Sequence, residues 1–130
     1  MNVPTRLPEQ VEALVTTVIG CGLTVHRELG PGFLESIYHK ALCLELDAHG
    51  LGFESEKAVA VRYRGWLIPG QRIDLVVGGQ VIVEVKAVRR LRRIHEAQVL
   101  SYLKTTGLRV ALLMNFRARM FREGLRRVVL

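Results

Sequence analysis

Arg72-Ile73-Asp74-Leu75-Val76-Val77-Gly78-Gly79-Gln80-Val81-Ile82-Val83-Glu84-Val85-Lys86 reads as two apolar strands joined by a glycine turn, each strand carrying one carboxylate. Most acidic residues of the chain lie in helical or loop sequence, where water solvates them. Asp74 and Glu84 instead sit among Ile, Leu and Val, where a carboxylate is costly to bury unless its charge is compensated. A divalent cation would compensate it. Whether one ion can meet both depends on the turn. A two-residue Gly78-Gly79 loop sets Val77 opposite Gln80 and sends Asp74 and Glu84 to opposite faces. A three-residue loop with a left-handed glycine sets Val77 opposite Val81 and Asp74 opposite Glu84. The second register is the one expected here. The period of two then places Lys86 on the face of Glu84.

Working outward, Ala58 to Tyr63 alternates like a strand, and Arg64-Gly65 turns it into Trp66-Leu67-Ile68. After the third strand, Val81 to Val88, a helix is expected over Ile94 to Thr106, with Ile94, Ala97, Leu100 and Leu103 as its core side and Gly107 as its stop. Arg109 to Phe116 is a near-continuous apolar run, the pattern of a strand buried on both faces. Gly124 to Leu130 closes the chain as a short strand. Before the hairpin lie two helices. One runs from Pro8 to Leu29 and is stopped by Gly30-Pro31-Gly32; the other runs from Phe33 to His49. Gly20 and Gly22 weaken the first helix and suit a close approach by another element. The expected order is α, α, β, β, β, α, β, β. It describes one α/β domain, residues 1–130, with a mixed sheet of antiparallel hairpin strands followed by a helical crossover strand.

The 130 residues are 49% apolar and 24% charged, a globular balance. No apolar run reaches the ~20 residues of a membrane span, and the first residues lack a secretory pattern. Two cysteines, Cys21 and Cys43, form no CxxC pair, and a reduced, cytoplasmic setting is expected. Nineteen Lys and Arg against twelve Asp and Glu leave a net charge of +7, and fifteen of the cations are Arg, whose planar fork suits phosphate. Such a chain attracts polyanions, nucleic acid above all. Arg89, Arg90, Arg92 and Arg93 directly follow the strand bearing Glu84 and Lys86, where they can hold a phosphate backbone. Arg117, Arg119, Arg122, Arg126 and Arg127 form a second cluster. Nothing resembles a helix-turn-helix or zinc finger.

Two carboxylates are hard oxygen ligands for Mg²⁺ or Mn²⁺, and the Val85 carbonyl can add a third oxygen. The ion would acidify a water and offset charge on a phosphate. Lys86 could orient or deprotonate that water, or stabilise the transition state.

Asp74, Glu84 and Lys86 in this order resemble the PD-(D/E)XK nuclease superfamily. Within it, the chain is similar to the GxxExxY family through Gly32-Phe-Leu-Glu35-Ser-Ile-Tyr38, Val25 to Gly32, Tyr63-Arg-Gly65, Val83 to Ala87, Ser101 to Lys104 and Leu112 to Phe116. The resemblance covers roughly Val15 to Val128; Ile73 stands where the superfamily name has Pro. It implies a restriction-endonuclease-like core of helix, three antiparallel strands, helix and strand. It also implies Glu35 as an acidic residue completing the metal site, directly or through water, with Tyr38 supporting it. Gly32, Glu35 and Tyr38 at threefold spacing would share one helix side, with His39 a turn from Glu35. Gln98 and Tyr102 resemble the Q-x-x-x-Y pair of RecB-type and phage-exonuclease-like members, placed to hold a water or phosphate on a helix face apart from the core side. His26 and His95 lack metal-ligand spacing and read as structural or exposed.

The expected activity is therefore divalent-metal-dependent hydrolysis of nucleic-acid phosphodiesters, DNA in the first instance. The competing reading is a nucleic-acid-binding or assembly module of the same fold without turnover. A homodimer would enlarge the binding surface.

Overall fold

The first helix, α1 (Glu9–Leu29), starts behind Pro8 and stops at Gly30, whose φ of 69° is left-handed and whose N–H returns to the His26 carbonyl at 2.8 Å. The computed structural model describes residues 6–130, so the start of the N-terminal stretch read as lacking a secretory pattern lies outside the described residues. Helix α2 covers Glu35–Ala48, shorter than the expected Phe33 to His49 because Gly30 to Leu34 form a turn. Three strands follow, β1 (Phe53–Tyr63), β2 (Trp66–Val77) and β3 (Val81–Lys86). The first two form a long hairpin, continuous through Pro69-Gly70 where two shorter pieces were expected. At its tip Arg64 and Gly65 have φ of 49° and 82°, as two-residue hairpin turns require.

Helix α3 (Arg93–Thr106) ends at left-handed Gly107, and crosses over to β4 (Val110–Asn115). A 3-10 turn at Phe121–Gly124 leads into β5 (Leu125–Val129). The sheet order is β1-β2-β3-β4-β5, with β3 and β4 parallel and every other pair antiparallel.

Three layers result. On one face α1 and α2 lay Val15, Val18, Leu42 and Leu46 over Val77, Val81, Val83, Val85, Leu112 and Met114. On the other, α3 lays Val99, Tyr102 and Leu103 over Val76, Ile82, Ala111 and Leu113. The central strands are buried on both sides, which is why β3 and β4 read as apolar runs rather than alternating ones.

Gly22 is a close-approach glycine: a Cβ there would lie 2.6 Å from the Phe121 ring and 2.8 Å from the Met114 sulfur. Gly20 faces open space and has no such role. The core side of α3 differs from expectation. Ile94 and Ala97 are exposed, and Val99, Tyr102 and Leu103 are buried. A step of three residues falls about 60° short of a full turn, so Ile94 and Leu103 end on opposite sides of the helix. Spacing by three alone traced a spiral around the helix instead of a face.

Candidate active site

The β2–β3 turn takes the three-residue form. Val77 pairs with Val81, Val76 with Ile82 and Leu75 with Val83, and Gly78 and Gly79 adopt φ of 58° and 67°. The ladder ends there. Beyond it β3 stays paired with β4 as far as Lys86↔Asn115, while β2 continues with β1. The two strands therefore part at Asp74 and Glu84, and their carboxylates fill the fork. The Asp74 amide donates to Glu84 Oε1 at 2.9 Å, and the Val85 amide donates to Asp74 Oδ2 at 2.8 Å. Each carboxylate satisfies a main-chain N–H that the parted ladder leaves free.

The fork is marked on its other flank too. Ser55 pairs with Leu75 and Lys57 with Ile73, but Glu56, between them, adopts φ of 52°. A left-handed glutamate is rare and strained. Across from it, β2 turns over: Ile73 packs with the α3 cluster while Leu75, two residues on, packs with the α1–α2 cluster. Nothing in the sequence signals this break, since Glu56 carries no turn chemistry.

Glu84 is 2% exposed. Burial pushes its carboxyl up to about 8, helped by the neighbouring charges of Asp74 and, more weakly, Glu35; the Asp74 amide and Lys86 oppose the rise. Lys86 reaches over from the same face, with Nζ 3.9 Å from Glu84 Oε2 and donating to Gln98 Oε1 at 3.3 Å. Gln98 thus holds the lysine.

Tyr102 is buried with the core, not on the separate face expected for the pair. Its hydroxyl donates to the Arg72 carbonyl at 3.1 Å, pinning β2 beside the fork. Burial, then the charges of Glu84 and Asp74, push this phenol up to about 12. Three polar neighbours that sequence reasoning missed share the task. Gln71 donates to Ser101 Oγ at 3.0 Å and accepts from Thr105 at 2.9 Å. The i, i+4 hydroxyls Ser101 and Thr105 were the available signal.

Glu35 opens α2 and is exposed, on the rim of a pocket of about 430 Å³ that Asp74, His39 and Ser55 also line. Among the described residues no three of His, Cys, Asp and Glu group closely enough to hold a metal ion. Glu35 thus shares the pocket lining with Asp74, and its charge reaches Glu84 as the weakest of the influences on that carboxyl. Gly32 precedes the helix, so the expected shared helix side reduces to Glu35 and Tyr38, and these differ in burial. Tyr38 is fully buried and stacked on Phe116 at 4.8 Å. Its hydroxyl donates to the Gly30 carbonyl at 2.5 Å and accepts from the Phe33 amide at 3.0 Å, closing the loop that launches α2.

Arg89, Arg90, Arg92 and Arg93 are all exposed beyond the end of β3. The histidines are structural: His26 bonds the Ala118 carbonyl at 2.7 Å, and His95 accepts the Arg92 amide at the start of α3. Both cysteines are free thiols.

The family model described as the PD-(D/E)XK nuclease superfamily matches residues 12–128. The chain belongs to this superfamily. Its mixed sheet flanked by helices is the restriction-endonuclease-like fold of that superfamily. Neither a curated protein nor a solved structure matches the chain. Among the described residues, no helix is long and apolar enough to cross a membrane.

Proposed function

We propose that this chain is a divalent-metal-dependent nuclease that hydrolyses phosphodiester bonds, DNA in the first instance, at the fork between β2 and β3. The observation that carries this reading is the interlock of Asp74 and Glu84, each bonded to the backbone beside the other. Superfamily members generally use divalent metals, and the donor set here fits one. Two carboxylates stand together, and Lys86, 3.9 Å from the buried one, offsets its charge only in part. Asp74 and Glu84 would hold Mg²⁺ or Mn²⁺, with the Val85 carbonyl as a third oxygen and Glu35 acting through water across the pocket. When bound, such an ion supplies Lewis acidity to a phosphate oxygen and to water. Within the superfamily, Gly32, Glu35 and Tyr38 support kinship with the GxxExxY proteins.

The other steps fall to the protein's own side chains. Lys86 presents its ammonium beside Glu84, where negative charge gathers on the phosphate during attack, and Gln98 fixes the position of that ammonium. Tyr102 keeps β2 at the angle that opens the fork. Arg89, Arg90, Arg92 and Arg93 hold the backbone of the nucleic acid at the rim. The test is cleavage of DNA and RNA with Mg²⁺ or Mn²⁺ added. Activity is expected with an ion and lost on chelation, and Asp74→Ala or Lys86→Ala is expected to abolish it with the fold retained. An ion-loaded chain that cleaves neither polymer overturns the proposal.

One observation favours a second reading, a binding or assembly module without turnover. Glu35 on α2 is exposed at the pocket rim, whereas Glu84 is buried in the sheet. Tight binding of nucleic acid without hydrolysis would select it.

A further inference from the structure

Beyond the fork, at the C-terminal ends of β3 and β4, lies a cup of about 320 Å³ lined by arginines. Arg89 and Arg90 reach it from the loop after β3, and Arg119 and Arg126 from the segment after β4. Two clusters that are far apart in sequence thus meet in one place.

The cup is built rather than incidental. Its floor includes Asn115, 2% exposed, whose side chain ties the two loops together. Asn115 Oδ1 accepts the Val88 amide at 3.0 Å and the Arg117 amide at 3.3 Å, and Nδ2 donates to the Val88 carbonyl at 2.9 Å. Gly124 lets the 3-10 turn close onto this floor, because a Cβ there would lie 2.2 Å from the Asn115 carbonyl oxygen. Arg126 Nη1 donates to the Glu123 and Leu125 carbonyls, which presets its guanidinium without neutralising it. Glu123 is the lone carboxylate of the lining. It already accepts the Met120 amide at 3.2 Å and sits 3.9 Å from Arg119. Four guanidinium groups around one carboxylate call for an anion with several acceptor oxygens, the geometry of a phosphate. Asn115 is the register partner of Lys86, so the cup adjoins the strand end that carries the lysine.

We propose that this cup binds a phosphate group of the nucleic acid that crosses the fork, setting its register on the protein. The proposal rests on the nucleic-acid reading above but not on turnover. The phosphate has two sources, an internal phosphodiester or a terminal phosphate monoester. Binding of fluorescent oligonucleotides of one sequence, with or without terminal phosphates, is measured by anisotropy in chelator over a salt series. Inorganic phosphate serves as competitor. The probe variant is Arg119→Gln/Arg126→Gln; both side chains are solvent-exposed, and circular dichroism checks the fold. Arg6→Ala/Lys104→Ala removes equal charge elsewhere. The probe variant is expected to bind about tenfold more weakly, with a salt slope smaller by about one, while the control changes much less. Loss on every oligonucleotide assigns the cup to the internal backbone. Loss confined to phosphorylated ends, with inorganic phosphate competing, assigns it to the terminus. Affinity within twofold of the parent, or equal loss in the control, overturns the proposal. Cleavage is assayed in parallel: a chain that binds through the cup yet cuts nothing defeats the nuclease reading alone.

Discussion

In the metal-free protein, Glu84 should make folding stability fall as pH rises through neutrality. Its carboxyl is held at about 8 in the folded chain, against an ordinary 4.5, because burial disfavours the ionised form and Asp74 adds its charge. Between those values the folded chain keeps a proton that the unfolded chain has released. The stability gained is thus fully present below about pH 4.5, drains as pH rises and is gone above about 8. At ~1.4 kcal/mol per pH unit the gap sets a ceiling of about 5 kcal/mol. Glu84→Gln isolates the effect: its amide oxygen can still accept the Asp74 N–H, and it has no proton to lose. Urea unfolding in chelator at pH 5, 6.5 and 8 measures the difference. The two proteins are expected to agree within about 1 kcal/mol at pH 5, and the variant to be more stable by about 3–5 kcal/mol at pH 8. Adding Mn²⁺ at pH 8 is expected to restore the parent and leave the variant unchanged, since an ionised Glu84 is then an asset. A stability difference independent of pH would refute the account of Glu84 as a buried, charge-crowded acid.

Three further outcomes follow from single contacts. Tyr38→Phe keeps the stack on Phe116 but strips the Gly30 carbonyl and Phe33 amide of their partner, and is expected to cost about 1–3 kcal/mol in urea unfolding. Gly124→Ala drives a methyl into the Asn115 carbonyl, and a loss of about 3 kcal/mol is expected by thermal unfolding. Gln98→Ala frees Lys86: kcat for nucleic-acid cleavage is expected to fall about tenfold with KM and stability nearly unchanged, and Gln98→Glu, which still accepts from Nζ, to restore most of it.

What could be read in advance divides along a physical line. The β2–β3 register was legible because side-chain parity is binary. Once both carboxylates must reach one place, only the three-residue turn permits it, and Val77 does face Val81. The buried strand β4 was equally plain, since seven successive apolar or amide residues between Arg109 and Arg117 leave no solvent face. Helix α3 was less so. Its apolar residues are sparse enough that two faces compete, and the sheet selects Val99, Tyr102 and Leu103. Glu56 was illegible altogether, because its left-handed backbone is imposed by the parting strands rather than by its own preference. The same holds for the arginine cup, which exists only after a crossover helix and a parallel pairing bring distant loops together.

The fork also explains why the acidic pair can stand in an apolar sheet at all. A continuous β2–β3 ladder would pair the Asp74 and Val85 amides with carbonyls and leave both carboxylates to face hydrophobic neighbours unaided. Parting the strands frees two N–H groups at the place where two carboxyl groups need them. That arrangement satisfies one oxygen of each carboxyl group. Each carboxyl group has a second oxygen, and Lys86, at 3.9 Å from that of Glu84, is too distant to serve as a close hydrogen-bonding partner. The break in the ladder therefore creates both the tolerance for the acids and the residual demand for positive charge. A substitution that re-zips β2 onto β3 would remove the site's chemistry while making the sheet more regular.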